Sequence, residues 1–119
     1  MKTIKLGYVH MFTYSPSQAL APHDGKVRQL DPMEVVLPSN RTFTLEIDYP
    51  LETAYTQTIR TGVRGMTRRV LVNKIVKAYE HVYANEDKYG VWGHHMTDLF
   101  LHTVNVTNDG KALLVDCDS

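Results

Sequence analysis

The sequence predicts an α+β domain: a mainly antiparallel sheet of about five strands with one long helix packed on one face. Three observations carry this. Residues 41–49 alternate apolar and polar, the period-two pattern of a strand dry on one side and wet on the other. Residues 67–85 set Leu71, Ile75, Ala78, Tyr79 and Val82 along one helical stripe, widened by Val72, Val76 and Tyr83. Asn108-Asp109-Gly110 sits between two apolar runs, a hairpin signal. The chain has 119 residues, 43% of them hydrophobic, enough for one core and one globular domain spanning residues 1–119.

In chain order, Lys2–Tyr14 reads as the first strand. Ile4, Leu6, Tyr8, His10, Phe12 and Tyr14 fall on one face, and Val9 and Met11 on the other, so this strand is expected to be covered on both sides. Ser15–Asn40 holds Pro16, Pro22, Pro32 and Pro38, with a turn signal at His23-Asp24-Gly25-Lys26 and a short edge strand at Met33–Leu37. It reads as a surface hairpin or, because long irregular segments are often functional, as an arm or lid. Arg41–Tyr49 is the clearest strand, ended by Pro50, and Glu52–Arg60 is a Thr- and Tyr-rich strand after it. Thr67 is the expected N-cap of the helix, with Met66 and Leu71 as its hydrophobic staple. Asn85 is expected to close it in a left-handed conformation. After a loop at Glu86–Gly93, Leu99–Val106 is apolar on both faces, and Lys111–Asp116 returns as its hairpin partner.

Apolar residues on both faces of the first and penultimate strands need cover that one helix does not supply. The proline-rich segment or a second copy of the chain would provide it. A homodimer is therefore expected, with two-fold symmetry as the default arrangement.

Net charge is zero, which argues against coating nucleic acid by bulk charge. The charge is nevertheless uneven: residues 60–69 are purely basic among their charged members, whereas residues 98–119 hold four acids against Lys111. Cys117 is the only cysteine, so no intrachain disulfide forms, and the composition fits a reducing compartment. Asp116 and Asp118 flank it and would raise its pKa, which argues against a reactive thiol. Met1–Lys5 is not the start of an apolar leader, and no apolar run approaches the roughly 20 residues of a membrane span. A soluble intracellular protein with no membrane contact is the expectation.

The strongest local signal is Ile59–Arg69, Ile-Arg-Thr-Gly-Val-Arg-Gly-Met-Thr-Arg-Arg, running into the helix. A helix N-terminus already carries about half a positive charge, and exposed cations there cost roughly 0.3–1 kcal/mol each. Helix formation thus does not explain Arg64, Arg68 and Arg69. Arg60, Arg64, Arg68 and Arg69 could hold a phosphate or nucleic acid, with Gly62 and Gly65 letting the backbone approach. The competing reading pairs them with Glu46, Asp48, Glu52 or the acidic C-terminal region. Gly-x-x-Gly before a helix is shared with the nucleic-acid clamp of KH domains, but the surrounding pattern is missing here.

His94-His95-Met96-Thr97-Asp98-Leu99-Phe100-Leu101-His102 is the second signal. On a helical turn His95, Asp98 and His102 could share a face and bind zinc for hydrolysis. An extended chain, which the flanking residues favour, aligns Asp98, Phe100 and His102 instead. The alternative is a structural histidine hydrogen-bonded to a carboxylate. Glu46, Asp48 and Asp98 read as solvated surface rather than an acid–base pair. Nothing matches a nucleophile elbow, phosphate loop or dinucleotide fingerprint. No catalytic residue and no cofactor is assigned.

Thr56–Leu71, with its Gly-Val-Arg-Gly-Met-Thr-Arg-Arg, and Tyr89-Gly-Val-Trp-Gly-His with Asp98-Leu-Phe-Leu-His-Thr together resemble short uncharacterised proteins of large DNA viruses of eukaryotic microbes, the marseillevirus-like group. The resemblance covers the C-terminal half. It implies a viral accessory or virion protein acting in a host cell, partnered by virion or host proteins, and carries no catalytic residue. The leading expectation is a non-enzymatic, homodimeric structural or interaction protein. Nucleic-acid or phosphate binding through the arginines and metal-dependent hydrolysis are the alternatives.

Overall fold

A computed structural model of the chain describes residues 2–22 and 28–119. The turn expected at His23–Lys26 lies outside the described residues. Seven strands form among the described residues: β1 (Lys2–His10), β2 (Val35–Leu37), β3 (Thr42–Ile47), β4 (Tyr55–Arg60), β5 (Met66–Thr67), β6 (Phe100–Val106) and β7 (Ala112–Asp118). The main helix is α1 (Arg68–Tyr83), followed by a single-turn α2 (Glu86–Tyr89) and a 3₁₀ turn at Met96–Asp98. Five strands make the main sheet in the order β1-β6-β7-β3-β4, and β2 and β5 form a separate two-stranded ribbon. All pairings are antiparallel except β3 with β7, where Leu45 lies opposite Leu113. The architecture is the expected α+β one, with a single parallel junction that hydropathy alone could not reveal.

The core lies between α1 and the inner sheet face. Phe43, Leu45 and Ile47 of β3, Leu101 and Val104 of β6, and Leu113 and Val115 of β7 are buried with Leu71, Ile75, Tyr79 and Val82 of the helix. Thr67 caps α1, its Oγ1 accepting from the Val70 amide at 3.3 Å, and the flanking Met66 and Leu71 are both buried. The helix does not end as expected. Asn85 has φ −134°, and its side-chain amide donates to the His81 carbonyl; the left-handed residue is Gly90, at the end of α2.

β1 is shorter than expected and changes phase within itself. Gly7 adopts φ +93° and the register with β6 shifts between Lys5 and Val9. Ile4, Leu6, Val9 and Met11 therefore all reach the core, while Tyr8 and His10 point to the other face and Phe12 is exposed. The strand is not apolar on both sides; a bulge splits one apolar face into two halves. A Cβ on Gly7 would stand 3.0 Å from Leu20 Cβ, and the Tyr8 amide donates to Ala21 at 2.6 Å, so the proline-rich segment closes over the bulge. Leu20 and Leu37 from that segment are core residues.

The outer face is largely hydrophilic: Thr42 and Thr44 of β3 and Thr56, Thr58 and Arg60 of β4 are exposed there. Tyr8 stacks on Phe100 at 4.6 Å between centroids. The sheet pattern that called for a two-fold partner is thus weaker than the sequence suggests. No helix among the described residues is long and apolar enough to cross a membrane.

Candidate interaction surface

The four arginines are divided between structure and surface. Arg68 opens α1 yet is only 6% exposed. Its Nε donates to the Lys5 carbonyl at 2.7 Å, and its Nη1 donates to the Asp31 carbonyl and to Glu34 Oε1 at 3.1 Å. It ties three segments together: the edge strand β1, the turn before β2, and the helix start. Its unfavourable position on the helix dipole is offset by these charge-assisted bonds. Glu34, not the acids considered from the sequence, is its partner. Arg69 donates from Nη2 to the Gln18 carbonyl, while its Nη1 is enclosed without a protein hydrogen-bond partner among the described residues. Arg60 and Arg64 are exposed, Arg64 on the tight turn in which Gly62 bridges Gly65. The cluster is a pair of exposed cations, Arg60 and Arg64, and a pair of structural ones, Arg68 and Arg69.

The histidine run is likewise used locally. Asp98 Oδ2 accepts from the His95 backbone amide at 3.0 Å, closing the 3₁₀ turn. His102 directs Nδ1 at Thr103 Oγ1, 3.1 Å away, and Nε2 at Asp118 Oδ1, 3.4 Å away. The carboxylate partner of His102 is therefore Asp118, one strand over on β7. Among the described residues no three His, Cys, Asp or Glu side chains converge as a metal-binding group.

Tyr79, fully buried, donates its hydroxyl to the Tyr49 carbonyl at 2.9 Å and lies 3.3 Å from Cys117 Sγ. Burial raises the Tyr79 pKa, with the neighbouring Cys117 adding to it. Burial also pushes the Cys117 thiol up to about 11; the Tyr79 hydrogen bond opposes this, and Asp116, Asp118 and Asp48 reinforce it. At neutral pH the thiol is protonated and a poor nucleophile. Burial raises Tyr83 to about 12, with Cys117, Glu86 and Asp98 contributing, and its hydroxyl donates to the His94 carbonyl.

What the sequence did not single out is an apolar end. Met33 is 69% exposed and Val63 80%, and Val35 and Val70 are exposed as well. All four lie where three segments meet. The Arg68 and Arg69 amides donate to Glu34 and Pro32, which holds residues 32–34 on the first turn of α1 beside Val70. A Cβ on Gly65 would come within 2.8 Å of Val35 Cγ1, so the Gly62–Gly65 turn carrying Val63 abuts β2. Leu37 pairs with Met66 to complete the ribbon. The signal in the sequence was there: a valine at the tip of a glycine-flanked turn, and Val70 off the helix's apolar stripe. Only the ribbon pairing assembles them.

At the opposite end, Trp92 is 48% exposed and meets the Tyr49 ring edge-on at 5.7 Å. No family model, curated protein or solved structure matches this chain.

Proposed function

We propose that this domain is a non-enzymatic interaction protein that docks a protein partner through the end formed by Met33, Val35, Val63 and Val70, with Arg60 and Arg64 beside it. The observation that carries this is the gathering of four exposed apolar side chains at one end of a molecule whose core is complete without them. Single exposed apolar residues are ordinary, whereas clustered ones rimmed by charge mark contact surfaces. Arginine at the edge of such a patch suits it, since it is enriched at protein interfaces. The likeness of the C-terminal half to virus proteins accords with a structural or accessory role in a virus particle or infected cell.

The test is site-specific photo-cross-linking from position 63 in the cells that make the protein, with exposed Thr58 as the control position. A discrete adduct from position 63, absent from position 58 and lost in Val35→Asp, is expected. Equal, diffuse labelling from both positions would reject the docking surface. A second reading, salt-sensitive binding of nucleic acid or phosphate, is favoured by the exposure of Arg60 and Arg64. It requires Arg60→Ala with Arg64→Ala to abolish binding, because Arg68 is spent within the fold.

A further inference from the structure

We infer that the partner seated on this surface is a second copy of the same chain, joined head to tail. The inference rests on the docking surface proposed above and adds its occupant. Among the described residues the fold separates charge along its length. β3 and α1 both run from one end of the molecule to the other, and the 16-residue helix alone spans about 24 Å. At its start stand the exposed Arg41, Arg60 and Arg64, with Asp31 and the Arg68-paired Glu34 on the same side: Arg60 pairs with Thr42, and the Thr61 amide donates to Arg41. At its finish stand the exposed Asp48, Glu52, Glu86 and Asp87, with Lys88 among them. The Glu52 amide donates to Tyr89 and Gly90, which fixes the β3–β4 connection against α2.

The two ends also differ in form. The basic end projects the Gly62–Gly65 turn, with Val63 at its tip and open space around Gly62. The acidic end holds an open groove of about 480 Å³ lined by Tyr83, Asn85, Glu86, Asp87 and Lys88. Val63 seated in that groove would set Arg64 beside Glu86 and Asp87. Net charge is zero, so copies do not repel in bulk while their ends attract. Because the two surfaces differ, the contact is heterologous: it closes into a ring or propagates as a filament.

Sedimentation velocity of the full chain tests this at about 0.01 M and about 1 M salt, where the Debye length falls from about 30 Å to about 3 Å. At low salt the mass should rise with concentration to more than twice the 13.6 kDa monomer, and return to monomer at high salt. Arg60→Glu with Arg64→Glu should remain monomeric, as should Glu86→Arg with Asp87→Arg. Mixing the two variants should restore assembly, because one supplies an intact basic end and the other an intact acidic end. Arg64→Glu and Glu86→Lys form a milder pair should either double variant misfold. A monomer at every concentration overturns the inference, as does a closed dimer indifferent to salt or a mixture that stays monomeric. Cross-linking from position 63 to another protein, with the chain itself monomeric, would overturn the self-contact and keep the docking surface. Loss of that cross-linking would remove both.

Discussion

Arg68 donates from Nε to the main-chain carbonyl of Lys5 at 2.7 Å, so the first residue of the long helix is fastened to the edge strand of the sheet. A guanidinium that the sequence offers as a ligand-binding group is a structural tie. Removing it leaves the Lys5 and Asp31 carbonyls without that donor and releases the exposed Glu34 carboxylate to water. Arg68→Ala should therefore lower unfolding free energy by about 2–3 kcal/mol, measured by urea denaturation. Arg64→Ala, on the exposed turn, should change it by no more than about 0.5 kcal/mol. Equal effects would contradict this division of labour.

Gly65 and Gly110 have nearly the same left-handed backbone, φ +74° and +73°, but different surroundings. A Cβ on Gly65 would lie 2.3 Å from the Leu37 carbonyl oxygen, whereas one on Gly110 meets nothing within 4 Å. Gly110→Ala should cost about 1 kcal/mol from backbone strain alone. Gly65→Ala should cost at least about 2 kcal/mol more, because β2 and β5 must part to admit the methyl group. Thermal melts of the two variants measure the difference directly.

The Cys117 thiol has its pKa raised from 9.0 to about 11 on folding. The unfolded chain thus loses this proton first, and the stability it contributes is full below pH 9 and disappears as pH climbs towards 11. Its size is at most about 3 kcal/mol. Tyr79, shifted in the same direction by burial, adds to the decline. Cys117→Ala should flatten the loss of stability between pH 9 and 11 without abolishing it. Native Cys117 should react with a thiol reagent at pH 7.5 far more slowly than the urea-unfolded chain does.

Tyr79→Phe tests a buried hydroxyl that links helix to loop. Its loss leaves the Tyr49 carbonyl without that donor, and a cost of about 1–2 kcal/mol is expected in denaturant titration. The same substitution should raise Cys117 reactivity little, since burial is the chief reason the thiol stays protonated.

Asp98 is engaged by the His95 backbone amide in a turn, and His102 by a strand-to-strand contact with Asp118. Zinc in excess should leave the melting temperature within about 1 °C. A ligand at a hundred times its Kd would add about 2.7 kcal/mol, several degrees in a domain of this size.

Much of the fold was legible in the sequence because its cause is local. The period-two alternation at Phe43, Leu45 and Ile47 determined β3, and the stripe from Leu71 to Val82 determined α1. Thr67 determined where that helix starts, and Asn108-Asp109-Gly110 where β6 turns into β7. Tertiary contact decided the rest. Alternation in β1 was read in a single phase, but Gly7 takes a left-handed backbone with Leu20 packed against it, and the bulge moves Val9 and Met11 onto the core face. The fate of the arginines was equally hidden: the acid that neutralises Arg68 is Glu34, in a segment whose position no periodicity reports. Likewise His102 finds Asp118 through sheet register. Spacing along the chain specifies which residues share a strand face or a helix stripe. Which exposed groups then stand side by side depends on how distant segments pair, and that is set by the packing of the whole chain.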